Sequence, residues 1–496
     1  MHFDFLYLDH KINSKIINTM KILHSTAEYF PYIKVGGLSD MLASLAKRQS
    51  KNHEVHIALP LLANADRSKI NFTGETVDCV SKDAVYGSVA SDCLLKSKFL
   101  VAKSENVTLY FFESPAFEHV YSIYANHDEL FIFAVFSYAC YHLGLHLDVD
   151  IVHSHDWHTS IVTVLNAASR VKKPTCFTIH NLTYQGDHPF WMTGFLRIDP
   201  FYINPEIFEH SYKVNYMKGA LNLADEITTV SPGYRNETLS EPAGATLSWI
   251  LNYRQGVYTG IMNGVDYDEW NPQKDTKISK HYDITNVEEG KRANKLDLYH
   301  SLGLYVDIER PLIGLIGRLT YQKGFRTFLN SFYWKGNLPF YYVVLGTGQE
   351  ELEAELFNQS HHQNQRIYFY RGFNEVLARK IEAASDFFIM PSLFEPCGLN
   401  QMYSQIYGSI PIVSRVGGLR DSVNESDNLD YMTGFVFEPG IDHSLNFALE
   451  RACGLYYDKY RFNKVRENVM KIDWSWENSY KEYMRVYQRA IDRKKE

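Results

Sequence analysis

Short runs rich in β-branched and aromatic residues alternate with helix-length segments along nearly the whole chain, and the alternation starts twice. The first series runs Lys21–Ser25, Val55–Leu59, Val107–Phe112, Ile151–Ser154, Cys176–Ile179 and Ile227–Val230. The second runs Leu312–Ile316, Tyr341–Leu345, Ile367–Tyr370, Phe387–Met390, Ile410–Val413 and Phe435–Phe437. Apolar strands separated by helices pair as parallel sheets covered on both faces. Two such series, parted by the polar stretch around Asn271–Asp307, predict an α/β chain of two doubly wound, Rossmann-like domains facing a deep cleft. The expected domains are residues 20–258 and 259–476. A chain of 496 residues is too long for one ordinary core, which agrees. Met20 directly precedes the first strand, so residues 1–19 read as an N-terminal extension. Asp4, Asp9 and a short apolar patch at Phe5–Leu8 do not make a secretory signal.

Charge and composition remove several function classes. The net charge is −8 and no dense Lys/Arg run occurs, so no nucleic-acid partner is expected. The mildly basic tail Arg489–Lys495 suits the negative end of a helix dipole. The longest apolar run, Leu130–Leu147, is interrupted by Ser137, His142 and Gly144. It falls short of the ~20 apolar residues that span a bilayer, so it reads as a buried helix and no membrane partner is expected. Six scattered cysteines without a CxxC pair indicate a reduced, cytoplasmic chain without disulfides or structural zinc. The oligomeric state is left open.

In open parallel sheets, ligands gather beyond the carboxyl ends of the strands, and the unusual motifs fall there. The first strand leads to Lys34-Val35-Gly36-Gly37, ahead of a helix. Adjacent glycines let backbone N–H groups approach an anion, and Lys34 adds a point charge for phosphate; the same pattern also serves as a plain turn. The run His153-Ser154-His155-Asp156-Trp157-His158 holds three histidines. No carboxylate or Cys stands at ligand spacing, so no metal is expected. Asp156 and Trp157 suit sugar hydroxyls and a sugar face. The next strand ends in a polar cluster, His180-Asn181-Leu182-Thr183-Tyr184. In the second half, Arg318 offers a fork for phosphate and Lys323 a second positive charge, both flanking a strand-to-helix turn. They could neutralise a departing diphosphate without a divalent ion. Glu395, in Leu393-Phe394-Glu395-Pro396-Cys397-Gly398-Leu399, stands before a helix and is either a cap or a ligand. Gly417-Gly418 makes a second Gly-Gly turn before a helix and a further phosphate contact.

Taken in order, KVGGLSD, HDWH, HNLTYQG, GIMNGVD, RLTYQKG, LFEPCGLNQ and GGLRD resemble the bacterial-type glycogen synthases and plant starch synthases, from about Lys21 to Tyr487. The resemblance implies a GT-B fold and a retaining hexosyltransferase. It would move glucose from ADP-glucose to the non-reducing end of an α-1,4-glucan with no metal or other cofactor, ADP-glucose being a substrate. By the same resemblance, the catalytic set is Glu395, Arg318, Lys323, His180 and Asp156. Donor contacts would come from Lys34, Gly36, Gly37, Asn263, Phe373, Cys397, Gly398, Leu399, Gly417 and Gly418. Phe373 stands where the family usually has a tyrosine against adenine. The acceptor would meet Trp157, Asn181 and Tyr184. Trp474-Ser475-Trp476 resembles the family's last crossing, after which the helix 477–496 would complete the first domain. Leu393 replaces a usual arginine, Ile132 stands near another, and Gly317 replaces a common serine. With no side-chain nucleophile evident, the resemblance favours front-side attack by the acceptor hydroxyl, the departing phosphate taking its proton. Two alternatives stay open: a GT-B transferase with a small acceptor, and a non-catalytic glucan-binding chain.

Overall fold

The computed structural model describes residues 19–79, 89–124, 128–189, 200–202, 204–334, 338–361 and 366–495. Nearly all of the expected extension 1–19 lies outside them. The strands are β1 (Lys21–Ser25), β2 (Glu54–Pro60), β3 (Phe72–Asp78), β4 (Lys98–Ser104), β5 (Val107–Glu113), β6 (Ile151–His155), β7 (Thr175–Ile179), β8 (Asp187–Pro189), β9 (Glu209–His210), β10 (Lys213–Asn215), β11 (Glu226–Thr229) and β12 (Tyr258–Gly260). A second series follows: β13 (Leu312–Ile316), β14 (Tyr341–Gly346), β15 (Ile367–Arg371), β16 (Phe387–Met390), β17 (Ile410–Ser414) and β18 (Phe435–Phe437).

The first large sheet has the order β12-β11-β7-β6-β1-β2-β5-β4-β3, and the second β15-β14-β13-β16-β17-β18. The second sheet is parallel throughout. Its strands bury both faces: Ile313, Leu315 and Val344 belong to one apolar cluster, and Leu312, Val343 and Phe388 to the other. The first sheet is not wholly parallel, which corrects the reading of two parallel sheets. β4 runs antiparallel to both of its neighbours, β5 and β3, because only Glu105 and Asn106 separate it from β5. Two residues cannot make a crossover, and Glu105 adopts φ 50°, as tight hairpins require.

The run Leu130–Leu147 forms the helix Glu129–His146, with Phe133, Val135 and Phe136 fully buried. The polar stretch Asn271–Asp307 is more than a connector. It holds the helix Val287–Ser301, whose Lys295 is buried and donates to Asp386 at 2.8 Å, while Lys291 donates to the carbonyl of Tyr407 at 2.8 Å. Satisfied buried lysines give this helix a polar composition without making it a surface element.

The last helix, Trp476–Lys495, lies against the first sheet. Arg48 pairs with Glu477 at 2.5 and 2.8 Å, and Tyr487 meets His153 Nδ1 at 2.7 Å. The two halves also meet through a pair of short helices, Pro232–Glu237 and Gly417–Ser422. Gly233 N–H donates to Asp421 at 2.5 Å and Gly417 N–H to Glu237 at 2.7 Å. Each helix thus supplies the carboxylate that fills the other's free N-terminal N–H groups. No helix among the described residues is long and apolar enough to cross a membrane.

Candidate active site

Each large sheet reverses its winding at one strand, β1 in the first and β13 in the second. A crevice opens outside the carboxyl end of such a strand. β1 leads into the Gly36-Gly37 turn and β13 into Arg318–Lys323, so both turns reach the same space. That cleft of about 1020 Å³ is lined by Lys34, Gly36, Gly37, Asp156, His180 and Asn181 from the first half. From the second come Arg318, Lys323, Phe373, Glu395, Cys397 and Gly398, with Asn263 between.

Charge is distributed unevenly over these walls. Lys34 pairs with Asp40 at 2.9 Å. Lys323 Nζ meets Glu395 Oε2 at 2.5 Å, and Ser392 Oγ donates to the same oxygen at 2.9 Å. Arg318 is exposed to the cleft and has neither an ion pair nor a side-chain hydrogen bond among the described residues. Asp156 starts the helix Asp156–Ala168 with φ 55°, a left-handed conformation that a non-glycine residue adopts at a cost. Its carboxylate accepts N–H groups from His180 at 2.8 Å and Asn181 at 3.4 Å, joining the ends of β6 and β7. Burial nevertheless dominates and pushes its pKa up to about 7. Burial pushes His180 down to about 3, so its ring is neutral.

Most residues picked out by sequence come together here. Tyr184 is 52% exposed and Phe373 79%, each presenting a ring to the cleft. Asn263 Oδ1 is buried with no hydrogen-bond partner, and Leu399 lines the wall beside it. Trp157 differs. It is 3% exposed, with its ring stacked on His158 at 4.1 Å and Gly186 packed against it. It forms part of the wall rather than an open platform. Glu395 is not a helix cap, because the helix Asn400–Ile406 starts five residues later, after Leu399. Gly417 and Gly418 stand outside the lining, and the Gly417 N–H is taken by Glu237. A Cβ on Gly417 would meet the Glu395 carbonyl oxygen at 2.1 Å, and one on Gly418 the Cys397 oxygen at 2.1 Å. This turn shapes the Glu395 loop from behind instead of offering N–H groups to a phosphate. Leu393 also stands outside the lining, and Ile132 is buried in the core.

Two groups escaped the sequence reading. Glu28 is buried in the cleft wall, where it accepts the N–H groups of Val35 and Gly36, both at 2.7 Å. The turn expected to meet an anion thus already holds a carboxylate. The other group is a set of buried histidines. Ring nitrogens of His24, His153 and His155 lie within 4.8 Å of one another, but all six are engaged in hydrogen bonds. The His-x-His spacing was visible; His24, far away in sequence, was not.

Comparison with known proteins agrees with this geometry. Residues 21–253 match the family described as starch synthase catalytic domain, and residues 306–459 match glycosyl transferases group 1. A glycogen synthase of Leptospira biflexa is 54% identical over 475 residues, covering 95% of this chain and 99% of the relative. One from Cellvibrio japonicus is 37% identical over 486 residues, with 94% and 98% covered. Among solved structures, the catalytic domain of starch synthase IV from Arabidopsis thaliana, bound to ADP and acarbose, superposes with a TM-score of 0.86 at 32% identity, covering 96% of this chain and 100% of that one. Sucrose-phosphate synthase of Thermosynechococcus elongatus, at 14% identity and a TM-score of 0.60, shares the fold. With both sheets, the cleft between them and near-complete coverage in agreement, the chain belongs to the glycogen and starch synthase family of GT-B glycosyltransferases.

Proposed function

We propose that this chain extends an α-1,4-glucan by transferring glucose from ADP-glucose to the non-reducing end, with retention of configuration and without a metal. The observation that carries the reading is Arg318, a cation exposed in the cleft with no protein partner among the described residues. An unpaired guanidinium beside a second cation, Lys323, is preorganised for the negative charge that grows on a diphosphate as the anomeric bond breaks. Glu395 holds Lys323 in place and offers a second carboxylate oxygen for glucose hydroxyls. Asn263 Oδ1, buried without a partner, supplies another acceptor for the sugar. Phe373 gives a flat apolar face for a purine, and Tyr184 stands where the growing chain would enter.

The bond from the anomeric carbon to the diphosphate oxygen breaks while the acceptor hydroxyl attacks from the same face. Its proton passes to the departing phosphate, so no protein nucleophile is consumed. The six cysteines are free, which accords with a reduced cytoplasmic setting. The test is radiolabel transfer onto glycogen from ADP-glucose or UDP-glucose, each with and without a chelator. ADP-glucose is expected to be preferred and the rate to survive chelation. Equal or better turnover of UDP-glucose would overturn the donor assignment, and loss of activity with chelator the metal-free mechanism.

A further inference from the structure

His180, half-buried at the cleft end of β7, caps a row of buried side chains that crosses three adjacent strands. Its Nε2 lies 3.0 Å from His155 Nδ1 on β6, and His155 Nε2 lies 3.0 Å from His24 Nδ1 on β1. His24 Nε2 then meets Gln49 Oε1 at 2.8 Å, at the end of the helix Gly37–Gln49. A second branch starts from the same amide. Gln49 Nε2 donates to Tyr487 OH at 3.1 Å, and Tyr487 OH lies 2.7 Å from His153 Nδ1. His153 Nε2 reaches Thr178 Oγ1 at 2.6 Å, which is 2.5 Å from Thr228 Oγ1.

Every ring in this row is neutral: burial pushes His24 down to about 4 and His180 to about 3, and holds His153 and His155 well below the ordinary imidazole range. A neutral imidazole has one N–H and one bare nitrogen, so a donor at one end of the row dictates the donor at every step. An amide oxygen cannot donate. His24 therefore carries its proton on Nε2 and accepts at Nδ1, which requires His155 to carry N–H on Nε2 and accept at Nδ1. His180 in turn must donate from Nε2, leaving Nδ1 bare. The second branch closes with the same amide orientation. The Gln49 N–H fills the Tyr487 oxygen, the Tyr487 hydroxyl donates to His153 Nδ1, and His153 Nε2–H donates to Thr178. Turning over this one amide would reverse both branches together and put the N–H on His180 Nδ1.

We propose that Gln49 is a positioning residue: through His24 and His155 its amide fixes the tautomer of His180, so that Nδ1 offers a lone pair to a substrate hydroxyl in the cleft. Gln49 is fully buried and does not line the cleft, so it acts only through the row. His180 Nδ1 has no protein partner among the described residues, which leaves it for ligand. The role given to that lone pair rests on the glucosyl-transfer reading; the tautomer itself does not.

The experiment is a long-range proton–nitrogen correlation spectrum of the full chain labelled with 15N-histidine, with the His180 signals assigned by their loss in His180→Gln. In the unaltered chain, His180 Nε2 is expected to be protonated and Nδ1 bare. Gln49→Glu should keep that pattern, because a carboxyl oxygen still accepts from His24. Gln49→Met removes the acceptor, so the Nδ1–H form of His180 should appear and kcat/KM should fall about ten-fold, the loss of roughly one hydrogen bond. A protonated Nδ1 in the unaltered chain, a flipped tautomer in Gln49→Glu, or an unchanged His180 in Gln49→Met would each overturn the proposal. The spectra are read without substrate, so they stand apart from failure of the transfer assay.

Discussion

Lys323 and Glu395 hold each other in the cleft, and their roles separate on rate against stability. A cation aimed at developing diphosphate charge acts mainly in the transition state, where one such group contributes ~3–4 kcal/mol, or about 10²–10³ in rate. Lys323→Ala and Glu395→Ala should therefore each lower kcat by about that factor with little change in Tm. Near-normal kcat with a clearly lowered Tm would show that the pair holds structure instead. Asp156 gives a pH signature. Its pKa rises from 3.8 to about 7 on folding, so the neutral form is favoured in the folded chain; that contribution to stability is complete below about 3.8 and is lost as pH rises through about 7. In the proposed transfer the ionised form would stabilise positive charge developing on the sugar, so kcat/KM should climb through about pH 7. Asp156→Asn should be slower at every pH, without that limb and with a flatter dependence of Tm on pH between 4 and 7. An Asp156→Asn profile that kept the limb would assign it to another group. At this scale the motifs carried Arg318 and Lys323 to the cleft, since short polar runs at strand ends can face little else, while Phe373 came from the family resemblance alone. Gly417 and Gly418 were misplaced because a Gly-Gly turn that admits an anion and one that admits a neighbouring carbonyl look the same in sequence. Glu28 and His24 stayed hidden, as a lone residue, whether on a strand like His24 or in a loop like Glu28, gives no sign of what folds against it.

At the scale of elements, the apolar strands of both parallel runs were legible, because a strand buried on both faces must be continuously apolar. The edge strands β3 and β4 were not: β3 is mostly exposed and alternates poorly, and the two-residue turn at Glu105 and Asn106 is a weak signal. Between elements, one tight approach carries the site. Gly324 follows Lys323 with φ 66°, and a Cβ there would lie 1.8 Å from the Pro391 carbonyl oxygen, on the loop leading to Glu395. Gly324→Ala must push the two loops apart as well as strain its own backbone. We expect a loss of ~2–4 kcal/mol in unfolding free energy together with a fall in kcat. Gly303 has φ 66° with nothing within 4 Å of its would-be Cβ, so Gly303→Ala carries only the backbone strain and should spare kcat. Denaturant melts and initial rates of the two variants decide this; equal effects would show that backbone conformation alone, not the approach to Pro391, sets the outcome.

For the whole molecule, the chain returns to its beginning: the last helix lies against the first sheet and carries Tyr487 into the histidine row. Ending the chain before Trp476 would strip Arg489 and Arg493 from the buried Glu226 and uncover the Gln49 end of that row, and such a chain is expected to be insoluble. A soluble, active product lacking residues 476–496 would contradict this. The two halves also hold one another through the carboxylates of Glu237 and Asp421, each seated on the other's helix. Because the two contacts form between the same pair of helices, neither half can swing away and lose only one of them. Separating these helices would expose two helix ends and two carboxylates together, so the two contacts stand or fall as one.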